Sequence, residues 1–136
     1  MASTLIDAGP LIALFDKNDQ YHQQALSFLQ NNDTSLITTW PVVTEVSHML
    51  DFSTKTQMNF LKWINRGGLR VFELEFYHII RIIELSEKFD DVPMDLADAS
   101  LIVASETLHI EEIASIDSDF YIYRNVRNQY LNNVIK

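Results

Sequence analysis

The chain has 136 residues, of which 10 are Lys or Arg and 19 are Asp or Glu, giving a formal charge of −9 with 47% hydrophobic residues. That length suits a single domain over residues 1–136, able to bury about two-thirds of its unfolded surface. Three glycines (Gly9, Gly67, Gly68) can form neither a dinucleotide-binding GxGxxG nor a Walker GxxxxGK loop, and the absence of cysteine removes thiol catalysis, disulfides and cysteine-held zinc. Met1–Asp7 has no basic region and meets a carboxylate at once, and no run reaches the ~20 apolar residues of a spanning helix. A soluble, cytoplasmic protein without membrane contact is expected. The acidic balance opposes a nucleic-acid partner unless the acids serve a cation.

In chain order, Thr4–Asp7 predicts a short strand, and Pro10 then suits the first turn of a helix over Leu11–Phe15. Gln20–Asn31 predicts a second helix with Tyr21, Ala25, Phe28 and Leu29 on one face. Ser35–Thr39 is the next strand. Pro41 opens a helix with the stripe Val42, Val46, Met49 and Leu50. Thr54-Lys55-Thr56-Gln57 has the form of a capping box for a helix that Gly67-Gly68 can stop. A strand over Arg70–Leu74 leads to a helix over Phe76–Phe89 that should bury Phe76, Ile79, Ile80 and Ile83. Pro93 precedes an apolar helix over Asp95–Leu108, Glu112–Ile116 is the fourth strand, and Tyr130–Ile135 can add one more. Alternating strands and helices predict an α/β fold with a mainly parallel sheet of four or five strands, whose ligands bind beyond the strands' carboxyl ends.

Four carboxylates stand where surface residues should not. Asp7 and Asp117 each follow an apolar strand directly. Glu45 and Asp98 each fall within the apolar spacing of their own helices. A buried carboxylate is costly unless it is paired or binds a cation. Each alone could be structural, Asp7 for example as a helix N-cap. Converging on one sheet edge, the four would repel without a counter-ion, and an all-oxygen set suits Mg²⁺ or Mn²⁺. Zinc fits poorly, because His22, His48, His78 and His109 are scattered without HExxH spacing. A serine hydrolase lacks its GxSxG elbow, and a glycosidase needs only two acids.

The segments Leu5-Ile6-Asp7-Ala8-Gly9-Pro10-Leu11-Ile12-Ala13-Leu14-Phe15-Asp16 with Asp19 and His22, Val43-Thr44-Glu45-Val46, Asp95-Leu96-Ala97-Asp98-Ala99-Ser100-Leu101 and Ser115-Ile116-Asp117-Ser118-Asp119-Phe120 occur in that order across nearly the whole chain. In this the sequence resembles the PIN-domain nucleases, particularly the VapC-type ribonuclease toxins of toxin–antitoxin pairs. The resemblance implies a three-layer α/β/α sandwich and metal-dependent hydrolysis of RNA phosphodiesters. Asp7, Glu45, Asp98 and Asp117 match the four family acids, with Asp7 and Asp98 as principal metal ligands. Ser115 matches a position near the site, and Asp95 and Asp119 are expected around it. A cognate antitoxin and a homodimer are also implied, the latter with Phe60 and Trp63 as candidate contact residues.

Basic residues expected to follow the RNA strand are Lys62 and Arg66, four apart on one helix, with Arg124 and Arg127 after the Asp117 turn. The contrasting expectation is a non-catalytic PIN-like module that binds a protein or RNA. A phosphoacceptor domain using Asp7 or Asp117 is weaker, because no lysine or arginine lies between Asp90 and Tyr123.

Overall fold

The structure, a computed structural model, describes residues 2–92, 94–116 and 131–135. Its elements are β1 (Ser3–Ile6), α1 (Ala8–Phe15), α2 (His22–Asn31), β2 (Ser35–Thr39), α3 (Trp40–Met49), α4 (Thr54–Asn65), β3 (Arg70–Phe72), α5 (Ile79–Lys88), α6 (Leu96–Leu108), β4 (Glu112–Ala114) and β5 (Asn132–Asn133). A 3₁₀ turn over Phe76–His78 leads into α5. The five strands lie in the order β3-β2-β1-β4-β5. Every pairing is parallel, with Leu5 beside Ile37 on one side and Ile113 on the other. Helices flank the sheet in an α/β/α arrangement, and the apolar core fills the space between. Among the described residues no helix is long and apolar enough to cross a membrane.

The central strand explains the layering. Leu5 and Ile6 are fully buried, as are Leu11 on α1 and Leu101 and Ile102 on α6. A strand buried on both faces has no polar alternation, as parallel sheets require. Helix α6 carries this furthest, with every residue from Ala97 to Ser105 buried.

Three local expectations need correction. The cap of α4 is Ser53, whose side chain accepts from the Thr56 amide, one residue ahead of the predicted Thr54. Gln57 instead donates from Nε2 to the Ser47 carbonyl at 2.7 Å, which ties α4 to α3. The stop is as expected. Gly67 turns left-handed at φ +89°, while its amide and that of Gly68 return to the Ile64 and Trp63 carbonyls. Gly68 also lies under Trp63, where an added Cβ would come within 2.0 Å of the indole nitrogen.

Of the two aromatics expected either to form a contact surface or to finish the core, Phe60 takes the second role and Trp63 is half-buried against it. Phe60 is fully buried and stands edge-on to Phe15 at 5.5 Å, with Trp63 at 5.6 Å from the same ring, so these aromatics complete the core.

Helix α5 packs a different apolar stripe from the predicted one. Phe76 is 88% exposed and Ile80 64%, with Ile79 and Ile83 also exposed, while His78, Leu85 and Phe89 are buried. The packed stripe is Ile82, Leu85 and Phe89, and beside it lies Arg81. Its Nε and Nη2 donate to the two carboxylate oxygens of Glu106 on α6 at 2.9 and 2.8 Å, and Nη1 donates to Glu84 at 3.2 Å. A forked pair of this kind fixes which side of the helix faces its neighbour. The hydrogen bond to Glu106 pushes the guanidinium pKa upward, against the opposing effect of burial.

Candidate active site

The carboxyl edge of the sheet is built from strand ends in register. Asp7 follows β1, and its amide donates to the Ala114 carbonyl at 3.0 Å, so the strand pairing runs on into the site. Its side chain is 6% exposed. One carboxylate oxygen accepts from the Ala8 amide at 2.8 Å, capping α1 as a structural reading expects. The other accepts from the Ser115 hydroxyl at 3.1 Å. These two bonds orient the carboxylate. Ser115, expected near the site on resemblance, touches Asp7 directly.

Asp98 approaches from α6. It is 8% exposed and occupies the third position of the helix, in a reciprocal cap with Asp95. The Asp98 amide donates to Asp95 Oδ1 at 2.8 Å, and the Asp95 amide donates to Asp98 Oδ2 at 3.4 Å. The helix end and the adjoining strand are bolted together one turn further in. Ser100 Oγ donates to the Ala97 carbonyl at 2.7 Å, leaving it to accept from Thr39 Oγ1 at 2.5 Å. Thr39 ends β2 and is fully buried. Asp98 is thus held beside the edge that bears Asp7.

Glu45 departs from its predicted burial. The inward stripe of α3 is Val42, Val43, Val46 and Leu50, which leaves Glu45 and Met49 outside. Glu45 instead lines an open groove of about 690 Å³ between α3 and the start of α6, shared with Trp40, Thr44, His48, Asp95 and Leu96. The argument from a buried charge therefore holds for Asp7 and Asp98 and not for Glu45. Asp95 is exposed and meets Asp98 through the cap just described.

Asp117, Asp119, Arg124 and Arg127 lie outside the described residues. Lys62 on α4 and Arg66, the residue that caps its C-terminus, are both exposed, and α4 packs on the Phe15 end of α1 through Phe60 and Trp63. Among the described residues no three His, Cys, Asp or Glu side chains gather closely enough to hold a metal ion. Asp7 and Asp98 are hard oxygen donors, the kind that Mg²⁺ or Mn²⁺ takes. The donor chemistry fits such a cation.

Sequence reasoning missed Asn133. Its Oδ1 accepts from the Ser115 amide at 3.1 Å, and its Nδ2 donates to the Ser115 carbonyl at 2.8 Å. This side chain mimics another strand and clamps the backbone whose hydroxyl orients Asp7. No spacing marks it, since an asparagine near a strand end reads as a turn residue.

The sequence matches no protein-family model and shows no significant sequence similarity to a curated protein. Solved structures are similar in fold. The Mycobacterium tuberculosis toxin VapC20, which cleaves the sarcin–ricin loop, superposes with a TM-score of 0.81 over 88% of this chain and 93% of its own, at 16% identity. Rickettsia felis VapBC2, bound to a DNA fragment from its promoter, gives a TM-score of 0.61 over 96% and 98%, at 13% identity. This chain therefore has the PIN-like fold of the VapC toxins.

Proposed function

We propose that the protein is a metal-dependent endoribonuclease and the toxin of a toxin–antitoxin pair, working in the cytoplasm. The observation that carries this reading is the pair of buried carboxylates at the carboxyl edge, Asp7 oriented by Ser115 and Asp98 by its cap, on a fold shared with an RNA-cleaving toxin. Asp7 and Asp98 would hold the Mg²⁺ or Mn²⁺, with Glu45 and Asp117 completing the set. When bound, the cation supplies charge neutralisation at the scissile phosphate and activates the attacking water.

The chain's own residues do the positioning. Ser115 keeps one Asp7 oxygen in place, and Asn133 keeps Ser115 in place. The Thr39–Ser100 bond fixes the α6 terminus that presents Asp98. Lys62 and Arg66, with Arg124 and Arg127, supply phosphate contacts away from the acids. Beyond RNA, the partners are a cognate antitoxin and a second copy of the chain.

The test is cleavage of an RNA pool by the purified protein with and without Mn²⁺, followed by mapping of the new ends. Cleavage should require the cation, and Asp98→Asn should abolish it while the melting curve stays cooperative, because the asparagine Oδ1 can still accept from the Asp95 amide in the reciprocal cap. Cleavage by Asp98→Asn at the wild-type rate would remove Asp98 from the site. A non-catalytic module would bind RNA or protein and produce no ends under either condition.

A further inference from the structure

We infer that the groove between α3 and the start of α6 seats one unpaired nucleobase of the RNA strand, stacked on the indole of Trp40. This rests on the ribonuclease reading above. Trp40 is the first residue of α3 and 46% exposed, whereas Val42, Val43 and Val46 of the same helix are buried. The core does not use this indole. Across the groove stands Leu96, the first residue of α6 and 57% exposed, so two apolar surfaces border one opening. The opening holds about 690 Å³, within the range of ~300–1,000 Å³ typical of small-ligand sites.

Charge decides which part of a nucleotide enters. Asp95, which is exposed and outside the proposed cation set, lines this groove and would repel a phosphodiester. Its carboxylate would accept hydrogen bonds from the N–H groups on the edge of a base. Thr44 and His48 add further polar contacts along the α3 wall. A neutral ring with a π-face and a donor edge satisfies both features at once.

Continuity with the candidate active site fixes the occupant as substrate. Asp95 is hydrogen-bonded to Asp98, so a base on Trp40 lies beside the edge where the phosphodiester would be cut. Stacking on an aromatic is sequence-tolerant, because every base has a π-face. The seat therefore selects single-stranded over paired RNA: a base held in a duplex cannot reach the indole. Trp40 is a specificity-determining residue in this scheme, and it takes no part in the hydrolysis.

The experiment uses the full chain, Mn²⁺ and a short unstructured oligoribonucleotide, together with a series in which each base in turn is replaced by an abasic sugar. In wild type, one abasic position next to the cleaved bond should raise KM. Trp40→Ala should raise KM about tenfold on the intact RNA, in line with the loss of one stacked base. The same variant should be indifferent to that abasic position, and Trp40→Phe should recover most of the affinity. Unchanged KM in Trp40→Ala, or an abasic penalty that persists in it, overturns the seat and leaves the nuclease reading standing. A changed mass by light scattering with RNA kinetics unaltered also overturns it, assigning the indole to a contact between copies. If wild type neither binds nor cuts RNA, the nuclease reading fails and the seat fails with it.

Discussion

Helices α5 and α6 lie side by side, and their exposed and buried surfaces are reversed in kind. Along α6 every residue from Ala97 to Ser105 is buried, including Asp98 and Ser100. Along α5 and the turn that leads into it, four of the large apolar residues are outside, and an arginine lies on the packed side. Hydrophobicity along a helix thus reports that it has two faces. It does not say which one the protein hides. The forked ion pair between Arg81 and Glu106 lies beside the packed stripe of Ile82, Leu85 and Phe89, and it gives Glu106, on α6 with only 12% of its side chain exposed, a partner there.

The contrast is sharpest in truncations. Leu101→Ala on α6 should cost about 2–5 kcal/mol, the usual penalty for a cavity at a fully buried leucine, seen as a large drop in the denaturant midpoint. Arg81→Ala should cost about 1–3 kcal/mol by leaving Glu106 against α5 without its fork. The raised guanidinium pKa places the arginine's own titration above the alkaline range. Its part in the pair is therefore constant from acid to mildly alkaline pH. Ile80→Ala, on the exposed side of α5, should change stability by no more than about 0.5 kcal/mol. A larger loss at Ile80 that grows with protein concentration would break the contrast, since it would show that a second copy covers this face.

The same two helices show what the sequence can reveal. The order of strands and helices is readable because parallel strands are continuously apolar and the helices between them are not. Asp98 stands out, as a charge within an otherwise apolar run has few uses. Glu45 escapes the same logic because Met49 is not part of the buried stripe; the stripe runs through Val42, Val46 and Leu50, which turns Glu45 toward the groove. The Arg81–Glu106 pair joins positions 25 residues apart, which no local pattern contains. Asn133 and the Thr39–Ser100 bond are illegible for the same reason: their roles exist only once distant strand ends meet.

That dependence on distant meetings has a consequence in time. Asp7 and the hydroxyl that orients it are 108 positions apart, and β1 gains its β4 neighbour only through that return. At ordinary elongation rates, about 5–20 seconds separate the synthesis of the two residues. For that interval the nascent chain has the first carboxylate and not the strand beside it. On the ribonuclease reading proposed above, the candidate site would come together only after most of its own message had been read.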